Sequence, residues 1–340
     1  MESIHVVLPR IKATRTCKDG CKLYYEIFGD GPERLVLIMG LGNSLKGWAF
    51  QIEHFGRDGS GFTVLAMDNR GVGQSELGFS LIPNQTTRTY AEDIREVVEE
   101  LDWHKVHVLG VSMGGMIAQE FAYICSDRIC SLVLVNTAAR GSHTGASKTS
   151  SFQSVARSIL AKAPERRAEL ALPNLYSTKT LSGPRGEFLR EYHMYTYQTR
   201  GRASLRTYLS QWLAIRAHTL SEEQMAKLRQ DKMRILVVAG AEDKLIPPSG
   251  GEHLARQLEA ELWLVEDAGH GIVFEMPDVF NDRVERFFLE NSKMGESEKK
   301  KPPSQSSSHH TATTALPEEI ANKDQDATTL AIEALEEGCL

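Results

Sequence analysis

The sequence has few features of a secreted, membrane-embedded or nucleic-acid-binding protein. Its 39 Lys and Arg are outnumbered by 45 Asp and Glu, which gives a formal net charge of −6 and a pI near 6.0. That balance argues against nucleic acid or an anionic membrane as the main partner. No apolar stretch is long enough to span a bilayer, and the first residues lack the basic and apolar regions of a secretory signal. We therefore expect a cytoplasmic protein.

Cysteine is also scarce, and its five positions are irregularly spaced. Cys17 and Cys21 flank a predicted hairpin turn, but we interpret all five as reduced thiols of an intracellular protein. No pair of Cys or His has metal-ligand spacing with a second pair to complete it. The glycine-rich stretch 68–73 does not have the spacing of a dinucleotide fingerprint, so we interpret it as a structural turn in which Arg70 is paired internally. The sequence predicts no metal and no cofactor.

What the sequence does contain is an alternation of strand and helix patterns. After a hairpin near the start come continuous apolar runs typical of strands covered on both faces, at 35–39, 62–67, 106–109, 132–136, 235–239 and 262–265. A helix is predicted to begin near Thr89, with Glu92 completing a capping box, and a last helix at 277–288. This order predicts an α/β fold with a mostly parallel sheet flanked by helices.

The alternation is interrupted once and then ends. Between residues 139 and 231 we find helical spacing but no strand pattern. From residue 291 the chain becomes polar and low in complexity, which is typical of disorder. We therefore predict a first core segment at 1–138, a helical insertion at 139–231, a second core segment at 232–290 and a disordered tail at 291–340.

One motif carries most of the functional information. The apolar run at 106–109 leads into Gly110-Val111-Ser112-Met113-Gly114, and a helical stretch follows at once. Gly-x-Ser-x-Gly between a strand and a helix is a nucleophile elbow, in which the serine adopts a strained backbone conformation and its neighbours must be small. Gly110 and Gly114 meet that requirement, so Ser112 is the candidate nucleophile. The same turn makes the backbone N–H of Met113 a candidate oxyanion donor.

An acid and a histidine follow later in the chain. Asp243 comes directly after the apolar run at 235–239, and His270 lies on the loop after the run at 262–265. Loops that follow parallel strands collect at one edge of the sheet, where ligands bind in open α/β folds. We expect His270 to take the Ser112 proton and Asp243 to hold the imidazole in one tautomer. Glu242 and Asp267 are neighbouring acids that compete with Asp243 for this role.

Taken together, these motifs resemble the α/β-hydrolases with a serine nucleophile, including esterases and enol-lactone hydrolases, over about Thr14 to Phe288. The matching pieces are Asp68 to Ser75, Gly110 to Gly115, Gly240 to Asp243, and Gly269-His270 with Glu275-Met276-Pro277. The resemblance implies that the insertion at 139–231 is a helical cap and favours Asp243 as the acid. It also implies Leu41 as the second backbone oxyanion donor, although Met39 replaces the histidine of many relatives.

The resemblance implies a serine hydrolase that acts through an acyl-enzyme on a small or medium apolar ester, thioester or lactone. A carbon–carbon bond hydrolase, an aminopeptidase or an acyltransferase on the same triad stays open, as does a non-catalytic ligand receptor or scaffold. The oligomeric state is open too. Of the aromatic residues in the insertion, we expect most to pack onto the core and a minority to face the substrate: Tyr176, Tyr192, Tyr195, Tyr197, Tyr208 and Trp212.

Overall fold

An eight-stranded sheet forms the centre of the protein, whose computed structural model describes residues 5–78, 85–141, 149–199, 203–231 and 233–299. The spatial order of the strands is β1-β2-β4-β3-β5-β6-β7-β8. Their bounds are β1 Ile11–Thr16, β2 Lys22–Gly29, β3 Glu33–Ile38, β4 Phe62–Met67, β5 Val106–Val111, β6 Ile129–Val135, β7 Arg234–Gly240 and β8 Glu261–Val265. Strand β2 is antiparallel to both of its neighbours, and all other pairs are parallel. The predicted mostly parallel sheet is confirmed.

Helices cover both faces of this sheet, and each face has its own apolar core. Side chains alternate along a strand, so neighbouring residues of β4 such as Val64 and Leu65 belong to opposite cores. Helices α2 (Thr87–Glu100), α3 (Met113–Ile124) and α10 (Pro248–Leu258) pack on one face. On the other face lie α1 (Ala49–Phe55), α11 (Ile272–Glu275) and α12 (Pro277–Lys299). No helix within the described ranges combines the length and the apolar character that a membrane span requires.

Helix α2 begins earlier than predicted. Its N-cap is Thr86, whose side chain accepts a hydrogen bond from the backbone N–H of Thr89, while the Thr89 side chain accepts one from the Thr86 N–H. The capping box is therefore Thr86 with Thr89, and the predicted pair of Thr89 with Glu92 is wrong. The third helical residue is threonine rather than the usual Glu or Gln, so the sequence pattern did not indicate that the helix begins at Thr87.

Between β6 and β7 the described residues form helices and no strand, as the sequence predicted. These are α4 Thr149–Leu160, α5 Pro164–Leu175, α6 Thr178–Ser182, α7 Pro184–Thr199, α8 Leu205–Ala217 and α9 Glu222–Gln230. Neither α6 nor α9 shows an apolar helical period, because α6 is very short and α9 is highly polar. We call α4 to α9 the inserted helices.

The end of the chain differs from the prediction. Helix α12 continues to Lys299, so residues 291–299 are helical rather than part of a disordered tail that begins at 291. Glu, Lys and Met in this stretch have high helix propensity, which the low-complexity reading of the tail overlooked. The remaining tail, 300–340, lies outside the described residues. One compact unit contains the sheet and the helices as far as Met294, and of the second unit only the end of α12 is described.

Candidate active site

Ser112 lies at the sharp turn between β5 and α3. Its φ of 57° and ψ of −122° place a non-glycine residue in a region that side chains rarely adopt. The strain is held by hydrogen bonds on both sides of the residue. The Ser112 N–H donates to Val135 O at 2.9 Å, and its carbonyl accepts from the Thr137 hydroxyl at 2.8 Å. The backbone is thus fixed by β6, and the side chain extends from the end of the sheet.

The glycines of the elbow are required by close approaches of the backbone. A Cβ atom at Gly110 would lie 2.4 Å from the Gly114 carbonyl oxygen, and one at Gly114 would lie 2.0 Å from the Ile38 carbonyl oxygen. Contacts this short are impossible for a real side chain. Helix α3 therefore packs directly against β3 and β5, which brings its N-terminus and Met113 to the base of the candidate site.

Asp243 and His270 meet at the same edge of the sheet. The His270 Nδ1 atom lies 2.7 Å from Oδ2 of Asp243, and both residues are buried. The other carboxylate oxygen of Asp243 accepts hydrogen bonds from the backbone N–H groups of Leu245 and Ile246, at 2.8 and 2.9 Å. A carboxylate oxygen accepts a hydrogen bond, so Nδ1 is the donor in this contact and the lone pair of the neutral imidazole is on Nε2.

The two competing acids make different contacts. Glu242 accepts a hydrogen bond from the backbone N–H of Thr178 at 3.0 Å, and Asp267 pairs with Lys179 at 2.5 Å. Both partners belong to α6, so these acids connect the strand-end loops to the inserted helices. Neither is bonded to His270, which leaves Asp243 as the acid that orients the imidazole.

Asn136 is a site residue that the sequence analysis missed. It follows β6 with a φ of 46°, and it is buried. Its side-chain amide donates to the carbonyls of Gly269 and His270 at 3.0 and 2.8 Å, and its Oδ1 atom accepts from the Gly240 N–H at 2.8 Å. One amide therefore connects the loop of Asp243 to the loop of His270. The only signal in the sequence was an asparagine at a strand end, where a left-handed backbone is tolerated.

Glu275 is a second such residue. One carboxylate oxygen accepts from the Gly269 N–H at 2.6 Å, and the other accepts from the Ser177 N–H at 2.7 Å. The carboxylate is buried, so these charge-assisted hydrogen bonds hold the histidine loop against the start of α6. The sequence pattern contained Glu275 as part of a motif but gave no role to it.

The loop after β3 approaches the nucleophile closely. A Cβ atom at Gly40 would lie 3.2 Å from the Ser112 Cβ atom, so the next residue, Leu41, starts within reach of the Ser112 hydroxyl. Gly42 has a φ of 65°, and its N–H donates to Oε1 of Gln211 at 2.7 Å. Among the hydrogen bonds of the described ranges, none is donated by the backbone N–H of Leu41 or Met113. Both groups remain available to a ligand oxygen.

Ser112 and His270 line one cavity of about 640 Å³ between the strand ends and the inserted helices. The expectation that most aromatic residues of the insertion only pack onto the core is wrong. Five of the six line this cavity, namely Tyr176, Tyr192, Tyr197, Tyr208 and Trp212, while Tyr195 is exposed. Some of these aromatic side chains both line the cavity and pack against the apolar core, as Tyr176, Tyr192 and Tyr197 do.

Polar groups also line the cavity, and the helical periodicity of the sequence gave no indication of them. The Tyr176 hydroxyl lies 2.6 Å from Nε2 of His193, and burial raises the pKa of this tyrosine well above its ordinary value. Glu26 accepts a hydrogen bond from the Tyr24 hydroxyl at 2.6 Å, and Arg167 extends from α5. The cavity is therefore amphipathic rather than uniformly apolar.

The remaining candidates have structural contacts. Arg70 donates two hydrogen bonds to Asp93 and one to Asp19, so the predicted internal pairing is confirmed. Cys17 and Cys21 are free thiols, and burial raises their pKa values to about 12 and about 11.

A cluster of side chains of metal-ligating types lies outside the cavity. In the described part of the chain one set of side chains has ligand atoms within 4.8 Å of one another, and it consists of His54, Asp282 and Glu285. His54 is already bonded to Glu285 at 2.8 Å, and none of the three lines the cavity of Ser112.

Comparison with known proteins identifies the family of this chain. The sequence matches the family model of the alpha/beta hydrolase fold over residues 33–277. The chain belongs to the α/β-hydrolase family. A putative non-heme bromoperoxidase BpoC of Mycobacterium tuberculosis is 27% identical over 270 residues, which cover 78% of this chain and 97% of that protein. A putative carbamate hydrolase RutD of Caulobacter vibrioides is 28% identical over 272 residues, or 78% and 94% of the two chains.

Solved structures of the family are similar as well. The enol-lactonase of Burkholderia xenovorans LB400 superposes with a TM-score of 0.65 at 25% identity, covering 82% of this chain and 99% of that one. A hydrolase from Pseudomonas aeruginosa PA01 has a TM-score of 0.63 at 27% identity, with coverages of 82% and 98%. The family and these relatives support hydrolase activity in general terms, while their different names leave the substrate open.

Proposed function

We propose that this α/β-hydrolase is a serine hydrolase that forms an acyl-enzyme on a small or medium ester, thioester or lactone. The observation that carries the proposal is the strained Ser112 in one cavity with a His270 whose Nδ1 atom is bonded to buried Asp243. A hydroxyl is a weak nucleophile at neutral pH and needs a base whose lone pair faces it. The Asp243 contact leaves that lone pair on Nε2.

The first half-reaction forms the acyl-enzyme. The Ser112 oxygen attacks the carbonyl carbon while Nε2 of His270 takes the hydroxyl proton. The carbonyl oxygen becomes an oxyanion, for which the free N–H groups of Leu41 and Met113 are the donors. The intermediate then collapses, the bond to the leaving group breaks, and the leaving oxygen or sulfur takes the proton from His270.

The second half-reaction releases the acid. Water gives a proton to His270 and attacks the acyl carbon, and the Ser112 oxygen leaves and recovers that proton. Asp243 keeps its negative charge throughout and stabilises the imidazolium that forms in each half. An alcohol in place of water would give acyl transfer by the same steps, so analysis of the products distinguishes the two reactions.

Active-site labelling with a fluorophosphonate tests the proposal directly. We expect rapid labelling of the wild type, none in Ser112→Ala, and at least about a 1,000-fold slower rate in His270→Ala. Labelling that persists in Ser112→Ala would assign the nucleophile elsewhere. A folded wild type that is not labelled would contradict the hydrolase proposal and favour a ligand receptor.

The acid is tested with a matched pair of variants. Asp243→Asn removes the acceptor that fixes the tautomer, so we expect a decrease in the labelling rate of about 1,000- to 10,000-fold. Asp267→Asn changes an acid on the histidine's own loop that pairs with Lys179 instead, and we expect less than about a threefold effect. Equal effects of the two substitutions would reject the assignment of Asp243.

A further inference from the structure

A half-buried cation that lines the cavity has no acidic partner among the described residues. Arg167 of α5 is half-buried and lines the same cavity as Ser112. Its Nη2 atom donates to the Tyr208 hydroxyl at 3.1 Å, and its guanidinium carbon lies 4.2 Å from the centre of the Tyr197 ring. No carboxylate of the described residues lies within 4.0 Å of it.

The orientation of this guanidinium is fixed, although its charge is not neutralised. The Tyr208 hydroxyl accepts a hydrogen bond from one N–H, and the Tyr197 ring packs against one face of the guanidinium. Among the described residues the guanidinium donates no other hydrogen bond. Four of the five N–H donors therefore remain for a ligand. A planar, half-buried and oriented guanidinium matches the geometry of a carboxylate.

Arg167 is also close to the loop that faces the nucleophile. The Tyr208 ring lies against Gly42, where a Cβ atom would be 2.2 Å from Cε1 and 3.0 Å from the hydroxyl oxygen. The same hydroxyl accepts the hydrogen bond from Arg167. Tyr208 thus connects the guanidinium to the residue that follows Leu41. An anion bound at Arg167 would lie only a few atoms from a carbonyl held between Leu41 and Ser112.

The acids of the cavity do not neutralise this cation, because they have partners on the strand side. Glu26 is bonded to the Tyr24 hydroxyl, and Asp68 accepts from the backbone N–H groups of Leu45 and Gln74. Arg167 is on the side of the inserted helices, together with tyrosine hydroxyls and rings. Among the described residues of the inserted helices that line the cavity, Arg167 is the one Arg or Lys, and Asp and Glu are absent.

We propose that Arg167 is the binding residue for a carboxylate on the substrate, so that the enzyme acts on esters or lactones that carry a second, ionised acid group a few atoms from the scissile carbonyl. This inference rests on the proposed hydrolase function for its reaction, but carboxylate binding itself needs no turnover. It narrows the proposed substrates from small or medium esters, thioesters and lactones in general to those that carry an anionic group.

The test is calorimetric binding to Ser112→Ala protein, which cannot consume the ligand by the proposed route. The probes are monomethyl glutarate, which is an anion, and dimethyl glutarate, which is neutral and similar in size. We expect the monoester to bind at least about tenfold more tightly than the diester. Adding Arg167→Gln should weaken monoester binding about 10- to 100-fold and leave diester binding unchanged within about twofold.

Two further variants control for charge and folding. Arg166→Gln removes the neighbouring arginine of α5, which pairs with Glu169, and should leave both affinities unchanged. If Arg167→Gln fails to fold, Arg167→Lys serves instead. Lysine keeps the positive charge but lacks the planar group with paired N–H donors, so monoester binding should weaken severalfold. In Ser112→Ala protein that retains Arg167, raising NaCl from 50 to 500 mM should weaken binding of the monoester and leave binding of the diester unchanged.

The outcomes separate this inference from the proposed function. Equal affinity for the two probes, or parallel losses of both in Arg167→Gln, would overturn the carboxylate site and make Arg167 a contact between α5 and α8. Fluorophosphonate labelling of the wild type would stand regardless of that result. Selective monoester binding that depends on Arg167, found with no labelling, would support the carboxylate site and reject the hydrolase.

Discussion

At the scale of single residues, Asn136 joins three backbone segments with one side chain. Its amide holds two carbonyls of the histidine loop and the N–H of Gly240. Asn136→Asp keeps the shape but places a carboxylate against two carbonyl oxygens and removes both donors. We expect a loss of about 2–4 kcal/mol in the free energy of unfolding and at least a tenfold slower labelling of Ser112. Urea denaturation and fluorophosphonate kinetics measure the two effects.

Asn281→Asp is the matched control for that experiment. Asn281 is also buried and donates to the Phe50 carbonyl while it accepts from Gln51, but it does not line the cavity. It should lower stability by a similar amount and leave the labelling rate of the folded protein unchanged. A wild-type labelling rate in Asn136→Asp would show that the two loops keep their positions without the amide.

His218 gives a prediction for acid stability. Burial lowers its pKa to about 4, and its Nδ1 atom lies 2.9 Å from the Thr87 hydroxyl. In the unfolded chain a histidine titrates near 6.5, so between pH 6.5 and 4 the unfolded state binds the extra proton. Stability is therefore lost as the pH falls through this window. His218→Gln should reduce that loss by up to about 3 kcal/mol.

The measurement is the free energy of unfolding by urea at several pH values from 7 to 4.5, for the wild type and the variant. His104 is exposed, so His104→Gln is the control, and its pH dependence should match that of the wild type. A His218→Gln protein with the wild-type slope would assign the acid sensitivity to other groups.

Residue identities at the candidate site were predictable only where a motif indicates them. Ser112, Asp243 and His270 each follow a strand that the apolar pattern locates, and parallel strands bring such loops together. Asn136 and Arg167 have no local pattern. Their partners lie far along the chain, as Gly240 does from Asn136 and Tyr208 from Arg167. Contacts of this kind depend on the packing of whole elements, which single-sequence periodicity does not encode.

At the scale of elements, the start of α2 makes a testable difference. The structure assigns the N-cap to Thr86, whereas the sequence pattern had placed the capping box at Thr89 and Glu92. Thr86→Ala should therefore lower the free energy of unfolding by about 1 kcal/mol, because it removes the acceptor for the Thr89 N–H. Glu92→Ala removes only an exposed pair with Arg88 and should cost less than about 0.5 kcal/mol. Thermal or urea unfolding of both variants measures the difference, and the reverse order of costs would favour the later helix start.

Elements with a strong period were predicted well, and those held by tertiary contacts were not. Strand β4 was predicted at its observed bounds, because all six of its residues are buried. Helix α9 is polar, and it is held by a capping box and by two buried residues, Met225 and Leu228. Two apolar positions are too few to define a helical period. The helix packs against α3 and α10, which are distant in the sequence.

At the scale of the whole molecule, the sheet divides the interior into two cores, and this division has an energetic consequence. Phe55 and Phe62 share one face with ring centres 5.2 Å apart, while Phe121 belongs to the opposite face. Each Phe→Leu substitution should cost about 1–2 kcal/mol of unfolding free energy. The costs at Phe62 and Phe121 should add within about 0.5 kcal/mol, because the sheet prevents shared contacts. The costs at Phe55 and Phe62 should depart from additivity by more than about 0.5 kcal/mol, because these two rings are in contact.

Double-mutant cycles by urea denaturation distinguish these two cases. The pair across the sheet is the control for the pair within one face, since all three side chains are fully buried and of the same type. Strong coupling between Phe62 and Phe121 would mean that a cavity on one face is relaxed by movement of the strands, and the sheet would then transmit strain rather than separate the cores. The strained backbone of Ser112 is hydrogen-bonded to β6 and to the first turn of α3, so such strain would also reach the nucleophile elbow.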